Sequence, residues 1–394
     1  MQNKLNRFAL TNCKIITPFR IIEPGALLVE KSKIAIVGLE NEIQLPLGIK
    51  KINCKGGYLT PGFIDLLVHG GGGFGFADEN NESLKKISDF YFSKGTTGFL
   101  ASLYSKPEKE MVKDIKRIST FSSKNKGNIW GIHLEGPFIN PKLHGAMKKD
   151  FLWEPSISKW KKLSKAANGF VRIMTIAPEL KNSSLVMREA ANDGVVLSIG
   201  HSDANYHEIE IAIDNGAAHV THLFNAMNEF HHRTPGVIAA SLLRNELKVE
   251  LIADNIHVHP IIMKLIYKLK GAGGIILISD AIRASGMPNG KYTFMKQNIY
   301  VKNNKATLND GTLAGSTLSL NKAIKNMVEK VDVPITEAVR MASLNGAKVL
   351  NVEHKKGIIA TGKDADLVLM DKNYNVQLTI FEGQIKYNST EFKF

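Results

Sequence analysis

The chain has 394 residues, 44% of them hydrophobic and 22% charged, with a net charge of +14 from 51 basic and 37 acidic residues. This suits a globular protein with a large core, either two or three domains or one barrel with an accessory domain, and excludes a disulfide-stapled or low-complexity scaffold. Cys13 and Cys54 form neither a disulfide framework nor a zinc spacing, which fits a reducing, cytoplasmic setting. No run approaches the roughly 20 apolar residues of a membrane span, and the first ten residues lack the apolar core of a signal peptide. The lysines are scattered rather than gathered into a basic patch, so neither nucleic acid nor a membrane is expected as a partner.

Residues 1–57 hold short apolar runs with turn punctuation, at 8–16, 25–30 and 33–38, the last two a hairpin pair. The segment 355–394 has the same texture, with runs at 365–370, 376–380 and 384–387. Both ends are therefore expected to form one small β-sandwich domain around a central domain at 58–354. In the centre, strand-like runs at 63–69, 97–103, 129–135, 171–177, 195–201, 218–222, 249–254 and 275–280 alternate with helix-like stretches such as 84–94, 109–122, 183–193, 206–215 and 260–270. Eight βα units predict a (β/α)8 TIM barrel. A doubly wound sheet is the alternative, but no GxGxxG opens the first unit. The glycine-rich run at 70–75 lacks the Lys-Ser/Thr of a phosphate loop and reads as a loop at the barrel mouth.

The predicted strand ends carry an unusual set of residues. His69, Glu135, His201 with Ser202 and Asp203, His222, Asp254 and Asp280 each end a run or follow it directly. The active site of such a barrel lies at the C-terminal ends of its strands. A lone histidine there is as readily a core residue; six of eight strands with this habit point to chemistry. Glu135, His201 and His222 offer one carboxylate and two imidazoles, a ligand set for zinc or iron(II) with a position left for water. Asp280 is the natural general base and proton carrier, its structural alternative being a helix N-cap. After His222 the pattern breaks into a polar loop, where Asn225 and the backbone of Ala226 could orient a polar ligand and Arg233 could bind an anion. His231 and His232 in that loop, and the segment 76–81 with Asp78 and Glu79, read as solvated.

On these residues the chain resembles the amidohydrolase superfamily and, within it, the N-acetylglucosamine-6-phosphate deacetylases. Gly131-Ile-His-Leu-Glu-Gly-Pro-Phe138 is similar to the metal-glutamate motif of those deacetylases. Gly200-His-Ser-Asp203 and Thr221-His-Leu-Phe-Asn-Ala-Met227 resemble their two histidine motifs, and Ile278-Ser-Asp-Ala281 their aspartate motif. Tyr58-Leu-Thr-Pro-Gly-Phe-Ile-Asp65, Met341-Ala-Ser-Leu-Asn345 and the segment 357–368 resemble the superfamily's passage into and out of the barrel. The resemblance implies one divalent metal, zinc before iron, on Glu135, His201 and His222, with Asp280 as proton acceptor and donor. It further implies that Ala146, Met147, Asn225, Ala226, Arg233, His257, Leu313, Ala314 and Gly315 contact an amino-sugar phosphate. A homodimer is implied as well, since in this family a phosphate-binding arginine or histidine can come from a neighbouring subunit.

Two positions depart from that pattern. Leu67 and His69 stand where many superfamily members carry His-x-His for a second metal, so His69 is at most an accessory ligand or simply a hydrogen-bonding residue. Met147 stands where the family usually has histidine or glutamine, and methionine cannot make that hydrogen bond; His144, three residues earlier, is the replacement candidate. Two other readings remain open on sequence alone. One is another amidohydrolase, such as a cyclic amidase or an N-acyl-amino-acid deacylase; the other is a non-catalytic scaffold.

Overall fold

The structure is a computed structural model and describes residues 7–78, 80–390 and 392. The chain divides into two compact units, one of residues 1–65, 88–98 and 320–394, the other of 66–87 and 99–319. In the first unit, strands from the N-terminal and C-terminal segments lie in one eight-stranded sheet. Tyr58–Pro61 joins them. It runs parallel to Arg7–Ile16 on one side, with Lys14 opposite Tyr58, and antiparallel to Leu367–Met370 on the other, with Leu59 opposite Leu369. Leu10, Ile15, Leu27, Leu59, Leu367 and Leu378 are fully buried in its apolar core. Cys13 and Cys54 are buried and free.

All eight predicted central strands form, in one parallel sheet in chain order: Phe63–Val68, Thr96–Tyr104, Ile129–Glu135, Val171–Ile176, Val196–Ile199, Ala217–Val220, Lys248–Ile252 and Ile275–Ile278. Their near-continuous Val/Ile/Leu runs suit strands covered on both faces. The sheet closes on itself where Val68 bridges Ala281 and the Asp280 amide donates to Leu67 O at 2.9 Å. The (β/α)8 barrel is thus observed.

Several strands stop short of their predicted ends. His201, His222, Asp254 and Asp280 each lie two residues beyond the end of their strand. There the backbone turns sharply: φ is +50° at His201, +31° at His222 and +49° at Asp280. Left-handed backbone is rare for non-glycine residues and concentrates at functional sites. The connection after His201 is fixed by a capping box, in which Asn205 accepts from the Glu208 amide (3.0 Å) and Glu208 accepts from the Asn205 amide (2.8 Å). Such a cap contributes about 1 kcal/mol to the helix Tyr206–Asp214 that follows.

A three-stranded antiparallel sheet of Gly290–Phe294, Gln297–Lys302 and Lys305–Thr307 follows the last barrel strand. It was not expected. The loop at 76–81 also departs from expectation. Phe76 is buried, and Asp78 pairs with Arg283 and accepts from the Gly75 amide at 2.9 Å. Glu79 lies outside the described residues.

Candidate active site

Strand three supplies the centre of the site. Side chains two apart on a strand share a face, so His133 and Glu135 point together, with Glu135 at the mouth. Strands five and six bring His201 and His222 to it. Both Nε2 atoms lie 3.1 Å from Glu135 Oε1 and 3.2 Å from each other. All three side chains are buried. His201 Nδ1 lies 2.7 Å from Leu143 O. A carbonyl only accepts, so Nδ1 carries the hydrogen and the Nε2 lone pair points at the cluster.

This donor set fits a divalent metal. Tetrahedral zinc with bonds of about 2.0–2.1 Å holds its ligand atoms roughly 3.3 Å apart, close to the observed spacings. Among the described residues, these three form the one cluster of His, Cys, Asp or Glu whose ligand atoms converge in this way. The carboxylate is suited to the role. Although burial favours its neutral form, the charge of His69 and the close approach of His201, His222 and His69 hold Glu135 well below the usual range.

His69 stands between Glu135 and Asp280. Its Nδ1 donates to Ser102 O at 3.2 Å, and its Nε2 is 3.1 Å from Glu135 Oε2 and 3.3 Å from Asp280 Oδ1. Burial alone would lower its pKa. The charge of Glu135 and the contacts with both carboxylates outweigh it and raise His69 to about 10.

Asp280 and the three converging residues line a cavity of about 240 Å³. Met147, Asn225, His257, Phe294, Met295 and Leu313 also face it. His257 is aimed by Asp254, which accepts from its Nδ1 at 2.7 Å and from its backbone amide at 2.8 Å. Asp254 is held below the usual carboxylate range; burial opposes this, but the bonds and charge of His257 prevail. Gly315 sits at φ +60°, where an added Cβ would come within 2.6 Å of Ile282 Cγ2 and 2.9 Å of Asp280 O. A side chain there would displace Asp280.

The Amidohydrolase family profile matches residues 58–386. The chain belongs to the Amidohydrolase family. It is 36% identical to an N-acetylglucosamine-6-phosphate deacetylase of Bacillus subtilis (strain 168) over 389 residues, 96% of each chain. It is 33% identical to an N-acetylgalactosamine-6-phosphate deacetylase of Escherichia coli O157:H7, over 83% of this chain and 87% of that one. Among solved structures, a mutant N-acetyl-D-glucosamine-6-phosphate deacetylase from Mycobacterium smegmatis, in complex with N-acetyl-D-glucosamine-6-phosphate, superposes with a TM-score of 0.92. It is 29% identical, over 97% of this chain and all of that one.

Within this amidohydrolase the expected site residues separate into groups. Glu135, His201, His222, Asp280, Ala146, Met147, Asn225, Ala226, His257, Leu313 and Gly315 all line the cavity. Ala314 is buried beside it, in the apolar cluster with Met147 and Phe294. Arg233 is not among the lining residues; it is exposed, with its guanidinium Nη1 3.0 Å from His232 Nε2. His144 does not replace the side chain at 147. Its Nδ1 donates to Met147 O at 2.6 Å and ties down the turn instead. Ser202 and Asp203 engage Glu179: the Ser202 hydroxyl and the Asp203 amide each donate to its carboxylate at 2.7 Å. Phe294 and Met295 were missed. The alternation of Tyr292, Phe294, Ile299 and Val301 with polar residues is the hairpin signal that could have found them.

Proposed function

We infer that this amidohydrolase hydrolyses the acetamide of N-acetylglucosamine 6-phosphate to glucosamine 6-phosphate and acetate. The observation that carries the reading is the meeting of Glu135, His201 and His222 with Asp280 and His257 in one small cavity. Glu135, His201 and His222 would hold one divalent metal, with zinc the expected ion. Such a metal acidifies a water and polarises the amide carbonyl. Asp280 takes the proton of the attacking water on a carboxylate oxygen and returns it to the departing amine nitrogen. Its neighbour His69 places Nε2 3.3 Å from Asp280 Oδ1. Asn225 and the Ala226 backbone orient the sugar. His257, held by Asp254, meets its anionic end.

A cyclic amide or N-acyl-amino-acid substrate has less support, since the near-full-length relatives are sugar-phosphate deacetylases. Arg233, exposed at the loop tip, is consistent with a homodimer in which it reaches a neighbour's phosphate. No helix among the described residues is long and apolar enough to cross a membrane, and a cytoplasmic location is proposed. The test is acetate release by metal-loaded protein from N-acetylglucosamine 6-phosphate, with the galactosamine isomer in parallel. Release from neither would overturn the reading, and release from the second alone would move the substrate.

A further inference from the structure

A second cavity, of about 370 Å³, adjoins the first and shares His69, Phe294 and Met295 with it. Lys106, Asp114 and Arg283 make its far side polar. Three rings stand between the two spaces. Phe294 meets His69 edge-on at 5.5 Å between centroids and Tyr104 edge-on at 5.6 Å, and His69 lies 6.2 Å from Tyr104.

Phe294 is held in this partition by its hairpin. Met295 and Lys296 both have positive φ, +50° and +58°, the tight turn that matches strand twist. The tip is tied down on two sides: Gln297 Nε2 donates to Ala146 O at 2.8 Å, and Lys296 pairs with Glu110 at 2.9 Å. Asn225 and His257 follow strands six and seven. His69 directly follows strand one and Tyr104 ends strand two, across the barrel mouth. With the sugar phosphate on the first side and the amide carbon at the centre, the acyl group points at the rings and at Met147.

We propose that Phe294 restricts the substrate to short acyl groups by walling the catalytic cavity off from the second one. The inference rests on the deacetylase reading. Replacing the ring joins the two spaces and admits a longer chain, whose end meets the polar far side.

The test compares N-acetyl-, N-butanoyl- and N-succinyl-glucosamine 6-phosphate on the metal-loaded wild type, Phe294→Ala and the milder Phe294→Leu. One methylene in a closed apolar pocket changes selectivity about 10–200-fold. The wild type should therefore disfavour both four-carbon groups by at least about tenfold, and the variants should raise their kcat/KM relative to acetyl by a similar factor. A rise for either long substrate supports the proposal. Wild-type cleavage of the long groups as readily as acetyl overturns it, whether or not the variants fold. So does an unchanged ratio in variants that still cleave the acetyl substrate. Failure of the wild type on the acetyl substrate would instead overturn the deacetylase reading itself.

Discussion

Two layers of buried histidine lie in the same barrel. The upper holds His69, His201 and His222 at the strand ends; the lower holds His133 and His219 within strands three and six. Burial is equal, and the chemistry is opposite. In the lower layer burial dominates, lowering His133 to about 4 and His219 to about 3. His133 Nδ1 lies 2.8 Å from Leu66 O, so Nδ1 is the donor and Nε2 accepts from the Thr175 hydroxyl at 2.8 Å. The remaining hydroxyls then follow in one direction. Thr221 donates to Thr175 at 2.8 Å, and Ser198 donates to Thr221 at 2.6 Å. In the upper layer, Glu135 and Asp280 overturn the burial penalty and raise His69 and His222. The lower layer is not without a carboxylate, since Glu250 Oε1 lies 3.7 Å from His219 Nδ1. The layers differ in how closely the carboxylates approach: His69 and His222 meet Glu135 at 3.1 Å, and His69 meets Asp280 at 3.3 Å.

The sharpest way to break this contrast is to remove the carboxylate. Glu135→Ala should abolish metal retention and reduce acetate release to background, with metal per chain measured by elemental analysis. A chelator should do the same reversibly. Retention of one equivalent by Glu135→Ala would show that the upper layer is not built around that residue.

Asp280→Asn comes next. Asparagine tolerates the left-handed backbone at 280, so the variant should keep fold and metal while kcat falls about 10²–10⁴-fold. An unchanged kcat would remove Asp280 from proton transfer.

His133→Ala addresses the lower layer. It leaves Leu66 O without that donor and the Thr175 hydroxyl without that acceptor, and opens a void, at a cost of about 2–4 kcal/mol. Denaturant unfolding should report that loss while the metal stoichiometry stays unchanged. Loss of metal as well would mean that the two layers are one network.

The contrast also explains what could be read from the chain. The upper layer was legible because a hydrophobic run ending in Glu135, His201, His222 or Asp280 breaks the pattern of a packed strand. The barrel was legible because eight such runs recur. The left-handed turns that swing these side chains inward leave no mark in residue type, so the strand ends were placed one or two residues late. Asp254 was visible as a strand-end carboxylate, but its partner His257 came only from resemblance, because their meeting is a property of a folded loop. Phe294 was invisible for a similar reason: it reaches the cavity through a tight hairpin arising beyond the last barrel strand. Arg233 shows a different limit: a basic residue in the right loop suggested anion binding, and within one chain sequence adjacency leaves it exposed outside the cavity.

The pair of Asp254 and His257 tests whether a carboxylate beside a buried histidine matters outside the metal cluster. Asp254 has its folded pKa depressed below the ordinary 3.8. Its charge therefore contributes stability that is fully present above the unfolded value and is lost as pH falls through the folded one. Asp254→Asn should destabilise the protein by about 1–3 kcal/mol at neutral pH, as expected for a charged hydrogen bond lost from a largely buried pair. The gap from wild type should narrow as pH drops below 3.8. Because Asp254 aims His257 and touches no metal ligand, KM should rise more than kcat falls, with metal content unchanged. A destabilisation that stays constant down to pH 2 would show that the carboxylate acts by shape and loop hydrogen bonding, not by charge. The role of carboxylates seen in the upper layer would then be confined to the cluster at Glu135.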